Sequence, residues 1–300
     1  MRAWTGRSGK GGALVTAGPL AVLAAFSVLA VAGYAVFGRD PSRLGGLSAG
    51  AARFYAISFS FFAQGQVLLA ALVLAVELVR RTGWRWLGAL GLVYGISLGS
   101  ELVGTAYGFP FGAYAYTGLL GPKWLGLVPV LIPLSWWFMA VPSYGLAARV
   151  VSSRGGGSRA GFYVGDGGSA ATRIFLGSLL LLAWDLVLDP AMSEATPYWV
   201  WAEPGPYYGM PLQNLFGWYV TGVALMAGLE WLRAREWVVE MRPGWLAAFY
   251  AVNLALPVGM AVAAGMVGAA VATALLLGGV VVGASLRSRS HSAGEVEVAG

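Results

Sequence analysis

Residues 244–286, GWLAAFYAVNLALPVGMAVAAGMVGAAVATALLLGGVVVGASL, form the apolar stretch that decides the class of fold. No Asp, Glu, Lys or Arg interrupts it. As one α-helix it would be about 65 Å long, whereas the hydrocarbon core of a bilayer is only about 30 Å thick. The stretch therefore predicts two membrane-spanning helices, at 244–263 and 266–286, joined by a tight turn near Gly265.

The rest of the 300-residue chain has the same apolar character. Hydrophobic residues make up 58% of it and charged residues only 11%, against about 25% in an ordinary soluble domain. The mean hydropathy is +0.71. Further stretches long enough to cross a membrane are 13–37, 54–79, 84–104, 124–149, 172–190 and 213–232. The predicted fold is all-α, a polytopic integral membrane bundle of about eight transmembrane helices.

The basic residues predict the orientation of this bundle. Fifteen of the 19 lie in alternate polar segments, beginning with the N-terminus. The segments between them hold only Arg39, Arg43, Arg53 and Lys123. Cytoplasmic loops carry an excess of Lys and Arg, so we expect both termini in the cytoplasm of a multi-pass protein of the plasma membrane. Arginines that flank spans and meet anionic lipid account for the net charge of +6, so no nucleic-acid partner is expected.

The predicted domain organisation is simple. One transmembrane domain covers 1–286, with a Gly/Ser-rich cytoplasmic loop at 150–171, and a disordered polar tail covers 287–300. The first span is longer than the 7–15-residue apolar core of a typical signal peptide, so we expect it to be retained as a span.

The rare residue types limit the possible chemistry. The chain has no Cys, which excludes disulfides, thiolate nucleophiles and thiolate-held metal sites. Its one histidine, His291, lies in the polar tail. We therefore expect no His-ligated metal or haem and no catalytic histidine. Any catalysis must use carboxylates, phenols, indoles and the backbone.

Two segments, 101–133 and 184–218, differ from the plain Ala, Leu, Val and Gly spans because they are rich in Trp, Tyr, Pro and Gly. The predicted orientation places both on the outer side. Aromatic belts are ordinary at membrane interfaces, which is the simpler interpretation of the rings. Irregular backbone at membrane depth, however, is tolerated only where protein or a cavity surrounds it. That condition favours a pocket here.

Most of the 13 acidic residues have a simple explanation. Loops, tails and polar stretches hold eight of them. Glu77 precedes Arg80 and Arg81 by three and four residues, and Glu230 precedes Arg233 by three. These spacings place opposite charges on one face of a helix, so both acids are predicted to form local ion pairs.

Three acids, Glu101, Asp185 and Asp189, have no basic residue nearby in the sequence. Asp185 and Asp189 are four residues apart, so one helical face carries both, and Pro190 follows directly. An ionisable residue inside a membrane is costly, which makes each a candidate functional residue. A purely structural, hydrogen-bonded acid is the alternative.

These segments resemble the carotenoid biosynthesis protein family, which includes bisanhydrobacterioruberin hydratase and bacterial carotenoid 1,2-hydratases. The resemblance covers about residues 54–264. The motifs that carry it are Glu101, Gly108-Phe109-Pro110-Phe111-Gly112-x-Tyr114-x-Tyr116, Val128-Pro129, Ile132-Pro133, Trp136, Asp185, Asp189-Pro190, Gly209-x-Pro211, Asn214 and Gly217-Trp218. It implies a hydro-lyase without an organic cofactor. Such an enzyme adds water to the terminal C1,C2 double bond of an acyclic carotenoid end group, of the lycopene, γ-carotene or bisanhydrobacterioruberin type, to give a tertiary alcohol.

The residues fit that chemistry. Hydrating a trisubstituted alkene begins with proton transfer to carbon, and a carboxyl group that is buried or lies beside a second carboxylate can remain protonated at neutral pH. Glu101 or Asp185 is the predicted general acid, and the other, or Asp189, is predicted to orient the water.

Aromatic faces can stabilise the resulting carbocation by about 2 kcal/mol when desolvated. The expected partners of the protein are the carotenoid, which arrives from the bilayer, membrane lipid and other carotenoid biosynthesis enzymes. The predicted substrate-binding residues are Phe109, Phe111, Tyr114, Tyr116, Trp136, Trp184, Asn214 and Trp218.

Three other functions remain open at this point. A carotenoid end-group cyclase shares the protonation step but adds no water. A membrane prenyltransferase would use two Asp clusters, of which Asp185-x-x-x-Asp189 resembles half of one. A non-enzymatic transporter could use buried acids as a proton relay, which inverted repeats would support.

Overall fold

The computed structural model describes residues 10–46, 48–152 and 170–298, so most of the predicted loop at 150–171 lies outside the described residues. The described helices are α1 (Lys10–Gly33), α2 (Ala49–Thr82), α3 (Trp86–Tyr107), α4 (Ile132–Ser152), α5 (Ala170–Asp189), α6 (Leu212–Trp231), α7 (Arg235–Val238), α8 (Pro243–Ala263) and α9 (Val267–Val298). The strands are β1 (Tyr114–Tyr116), β2 (Lys123–Trp124), β3 (Val128–Pro129) and β4 (Trp199–Trp201). A π-helical turn follows α1 at Tyr34–Gly38 and another follows α5 at Pro190–Glu194, and a 3-10 helix covers Pro41–Gly46.

Five of the described helical segments are long and apolar enough to cross a membrane. They are Gly18–Gly38, Ala49–Thr82, Trp86–Tyr107, Ala170–Glu194 and Pro243–Ala263. The chain is therefore a mostly helical protein with several candidate membrane spans. The remaining predicted spans coincide with α4, α6 and α9, the last with a shorter apolar part, Val267–Gly283. The count of eight crossings stays a prediction.

The predicted span at 124–149 starts too early. Helix α4 begins at Ile132, and the residues before it form the hairpin of β2 and β3, in which Trp124 pairs with Val128. Apolar composition alone does not separate such a hairpin from a helix, but Pro129 has no backbone N–H to donate to a helix. The all-α class therefore misses two short antiparallel strand pairs.

The other strand pair joins the two aromatic segments. Strands β1 and β4 are antiparallel, with Tyr114 opposite Trp201 and Tyr116 opposite Trp199. Successive side chains of a strand point to opposite faces, so Tyr114 and Tyr116 share one face. Both are buried while Ala115 between them is exposed. The pairing therefore turns the two tyrosines inward, over the end of the bundle.

Helix α5 lies at the centre of the bundle. It contacts α4, α6, α8 and α9, and it is the most buried of the five candidate spans. Asp185 and Asp189 lie in its last two turns and are both buried. The central position of α5 thus explains why acids on this helix are enclosed by protein.

Ion pairs between helix ends gather at the opposite end of the bundle. Arg173 at the start of α5 pairs with Glu230 at the end of α6, so the predicted local pairing of Glu230 with Arg233 is wrong. The two helix ends are adjacent, so Glu230 pairs with Arg173, which is distant in the sequence, and not with the nearby Arg233. The predicted pairing of Glu77 is confirmed with Arg81, with 3.0 Å between Nε and Oε1.

The hairpin between the last two long helices is confirmed. Helix α8 ends at Ala263 and α9 begins at Val267, and Gly265 between them has a φ of +86°. Glycine adopts this left-handed conformation without steric cost. Helix α9 continues to Val298, where the sequence predicts a disordered tail from 287. The domain limits themselves stay a prediction.

The orientation can be tested with single cysteines because the chain has none of its own. Glu203 and Trp84 are exposed and lie at opposite ends of the bundle. In intact cells, we expect a membrane-impermeant maleimide to label Glu203→Cys at once and Trp84→Cys only after permeabilisation. The parent chain, which has no cysteine to label, is the control. The reverse pattern would invert the predicted orientation.

Candidate active site

Glu101 lies near the end of α3 and accepts three hydrogen bonds from aromatic side chains. The hydroxyls of Tyr114 and Tyr116 both donate to its Oε2, the second over 2.9 Å. The indole Nε1–H of Trp136 donates to Oε1 over 2.9 Å. Glu101 itself is buried. Burial favours the neutral form of this carboxyl group, and the three converging donors act against it by favouring the ionised form.

The two tyrosines remain donors over a wide pH range. Burial, reinforced by the charge of Glu101, raises the pKa of Tyr114 and of Tyr116 well above the usual value for a phenol. A phenol with a raised pKa is neutral and protonated at every pH below that pKa. Both hydroxyls therefore donate to Glu101 throughout the physiological range.

Indole rings pack beside these donors. The rings of Trp136 and Trp218 are stacked with their centroids 3.9 Å apart and their planes at 20°. Trp184 meets Trp218 edge-on at 5.9 Å. Aromatic pairs of this kind contribute about 0.5–1.5 kcal/mol beyond their buried area, so they fix the positions of the rings. The ring of Trp136 is thus held where its N–H reaches Glu101.

Asp189 and Asp185 share one amide. Nδ2 of Asn214, on α6, donates to Oδ2 of Asp189 and to Oδ2 of Asp185, the second over 3.2 Å. The indole Nε1–H of Trp199 donates to Oδ1 of Asp189 over 2.7 Å. Oδ1 of Asp185 is buried and has no hydrogen-bond partner among the described residues. Asp189 is therefore the better supported of the two as an anion.

No basic side chain neutralises these acids. Among the described residues, none of Glu101, Asp185 and Asp189 takes part in an ion pair. Their partners are phenols, indoles and one amide. Three buried carboxyl groups without a cation carry a high cost if all are ionised, so the cluster is suited to hold at least one proton.

Glu101 and Asp189 border the same small cavity, which has a volume of about 30 Å³. A water molecule needs roughly 10–15 Å³ of such space, so the cavity has room for about two waters. Its other walls are mostly aromatic. The lining residues are Glu101, Phe111, Tyr114, Tyr116, Ile132, Ser135, Trp136, Leu188, Asp189, Trp199, Trp201, Asn214 and Trp218.

The eleven predicted site residues divide into three groups. Eight of the eleven line this cavity. Asp185 and Trp184 lie behind it, the first through Asn214 and the second against Trp218. Phe109 lies elsewhere, with 59% of its side chain exposed. Phe111, two residues further along the chain, lines the cavity instead.

The sequence-based prediction missed Trp199 and Trp201, which line the cavity beside Asp189 and Tyr114. An available signal was the spacing of the two tryptophans, which alternate as Tyr114 and Tyr116 do. Period-two aromatic spacing is typical of a half-buried strand.

A close approach of two backbones also shapes the site. A Cβ added at Gly217 would lie 2.5 Å from Cδ1 of Phe111 and 3.0 Å from the carbonyl carbon of Pro110. Real Cβ atoms do not come so close, and the backbone of Pro110 cannot move aside easily. The glycine therefore lets α6 press against the turn that carries Phe111.

Comparison with known proteins agrees with this arrangement. The sequence profile of a family described as carotenoid biosynthesis protein matches residues 62–280, which include the whole site. The chain belongs to the carotenoid biosynthesis protein family. Over 170 residues it is also 31% identical to a bisanhydrobacterioruberin hydratase of Haloarcula japonica, a match that covers 56% of this chain and 50% of the relative. This carotenoid biosynthesis protein thus spans about half the length of that curated relative. No solved structure matches it.

Proposed function

We propose that this protein is a cofactor-independent hydratase that adds water across the terminal C1,C2 double bond of an acyclic carotenoid. The observation that carries the proposal is the water-sized cavity between two buried carboxyl groups, Glu101 and Asp189. The family and the similarity to a carotenoid hydratase support it. Eight membrane crossings with cytoplasmic termini, in the plasma membrane, would give an apolar substrate access from lipid.

The Asp185–Asp189 pair is the proposed source of the proton. Both carboxyl groups accept from the one amide of Asn214, and two negative charges there would repel each other in a dry environment. The pair is therefore proposed to share one proton, as paired carboxylates do. The shared proton rests on Asp185, whose Oδ1 has no partner among the described residues, and it reaches the alkene through Asp189, because only Asp189 of the pair borders the cavity. Its transfer to C2 of the alkene leaves a cation at the tertiary carbon C1.

Glu101 is the proposed acceptor on the other side of the cavity. Its three hydrogen-bond donors favour the carboxylate form, which can orient a water and take its proton as the oxygen bonds to C1. The net change is the addition of one water. The proton then returns from Glu101 to Asp189 through the shared cavity, which restores the starting state.

The aromatic walls have a separate role in this proposal. Faces of Trp and Tyr attract a carbocation without forming a bond to it. Trp136, Trp218 and Tyr114 border the cavity and supply such faces. They lower the energy of the cation and still leave it available to water.

The product formed in a lycopene-producing bacterium tests this function. We expect the protein to convert lycopene into pigments that are heavier by one water per modified end. When membranes are incubated with lycopene in H₂¹⁸O, the new hydroxyl should carry ¹⁸O. The doubly substituted Glu101→Gln, Asp189→Asn chain, present in the membrane at the same level, is the matched control.

The alternative functions give different products. An end-group cyclase would change the absorption spectrum of lycopene without changing its mass, and a prenyltransferase would add an isoprenoid unit. Either product, or unmodified lycopene beside abundant protein, would contradict the proposal.

A further inference from the structure

A second and larger cavity lies between α1, α2 and α8. Its volume is about 340 Å³, within the roughly 300–1,000 Å³ of ordinary ligand pockets, whereas the cavity of the carboxyl groups has room only for water. Leu29 on α1 and Phe54 on α2 line it and are 60% and 51% exposed. The cavity therefore reaches the surface of the bundle between two candidate membrane spans.

The chemistry of its walls selects an apolar occupant. Most of the lining is aliphatic or aromatic. Three of its four side-chain hydroxyls already donate to backbone carbonyls: Tyr34 to Ala195, Ser58 to Tyr55 and Tyr198 to Phe59. A polar ligand would find few hydrogen-bonding groups that are still unpaired, whereas a hydrocarbon needs none.

The large cavity and the site are separate, but two short stretches of chain contribute to the walls of both. Tyr198 lines the large cavity, and its neighbour Trp199 lines the small one and donates to Asp189. Met192 lines the large cavity three residues after Asp189, which lines the small one. Tyr198, Trp199 and Met192 thus lie on the stretches of chain that contribute to the walls of both cavities. The flexible side chain of methionine can move aside at little cost.

We infer that the large cavity binds the polyene chain of the substrate, with the end group directed past Met192 toward Asp189. This inference rests on the proposed function for the identity of the polyene. The substrate would then enter the protein from the lipid and not from the outer water. The small cavity then supplies the water, and the end group meets it beside Asp189, so the two reactants arrive from opposite sides.

Filling the cavity tests the inference. Ala63→Trp on α2 and the milder Ala30→Phe on α1 place a larger side chain in the lining. Displacing even two buried methylene groups weakens binding about tenfold. We therefore expect each variant, purified from lycopene-producing cells, to retain about tenfold less total carotenoid, hydrated or not. The circular dichroism that the protein induces in the absorption band of the carotenoid should fall with it. Ile57→Trp is the matched control, because Ile57 lies on α2, is exposed and does not line the cavity.

The outcomes separate this inference from the proposed function. Carotenoid retention that falls in both cavity variants and not in Ile57→Trp supports the inference, even if the parent chain adds no water. Unchanged retention in Ala63→Trp and Ala30→Phe, with well-folded protein by size-exclusion chromatography, would overturn it. Loss of tightly bound phospholipid without loss of carotenoid would overturn it too, since an acyl chain would then be the occupant.

Discussion

Replacing Asp189 by Asn is expected to lower the rate of water addition by about 10²–10⁴-fold, the contribution typical of a positioned acid. The substitution keeps the size of the side chain and removes the carboxyl group that is proposed to pass the proton into the cavity. Asp185→Asn should retain more activity, since Asp185 contacts the cavity only through Asn214. The yield of hydrated pigment per unit of membrane protein, compared between the two variants, measures this difference in activity.

The control for this prediction is Asp40→Asn. Asp40 is a partly exposed acid that pairs with Arg43, with 3.1 Å between Nε and Oδ2. It should leave hydration unchanged. If Asp185→Asn were the more damaging of the two buried substitutions, Asp185 would be the donor and the assignment of Asp189 would be wrong.

Replacing Glu101 by Gln should have an effect of similar size for a different reason. The amide cannot accept a proton from water, and its NH₂ group would face either the indole N–H of Trp136 or the two phenols, which now donate. We expect about a 10²–10⁴-fold loss of water addition, measured with lycopene in isolated membranes.

A matched control separates charge from fold in this case. Glu203→Gln changes an exposed acid in a loop near the same end of the bundle and should keep full activity. Thermal unfolding followed by tryptophan fluorescence checks that the Glu101→Gln chain is folded. Near-normal hydration by a folded Glu101→Gln protein would remove Glu101 from the mechanism.

The sequence predicted the helices well because their signal is local. A stretch of about 20 apolar residues identifies a span without any knowledge of its neighbours. The exception at 124–131 shows the limit of this signal, because a short apolar hairpin has the same composition as the start of a helix. Only Gly126 and Pro129 distinguished the two, and both also occur inside spans.

The acids of the site were also predictable, by elimination. Glu101, Asp185 and Asp189 were the acids without a nearby base or a polar segment, and the structure places all three in one cluster. Their partners were harder to predict. The contact of Trp199 with Asp189 depends on the pairing of β1 with β4, two strands about 80 residues apart, and no local pattern specifies that register. The same limit explains the wrong partner for Glu230.

The hydrogen bonds of the site divide along the chain. Within the described part of the chain, every side-chain donor to Glu101 comes from residues 114–136, and every side-chain donor to Asp185 and Asp189 comes from residues 199–214. Strands β1 and β4 join these two groups edge to edge. The two carboxyl systems therefore have separate hydrogen bonds: a substitution near one can leave the hydrogen bonds of the other intact, while the charges of the two still interact. In the proposed mechanism, the hydrogen bonds of the proton donor and those of the proton acceptor could therefore be changed one set at a time.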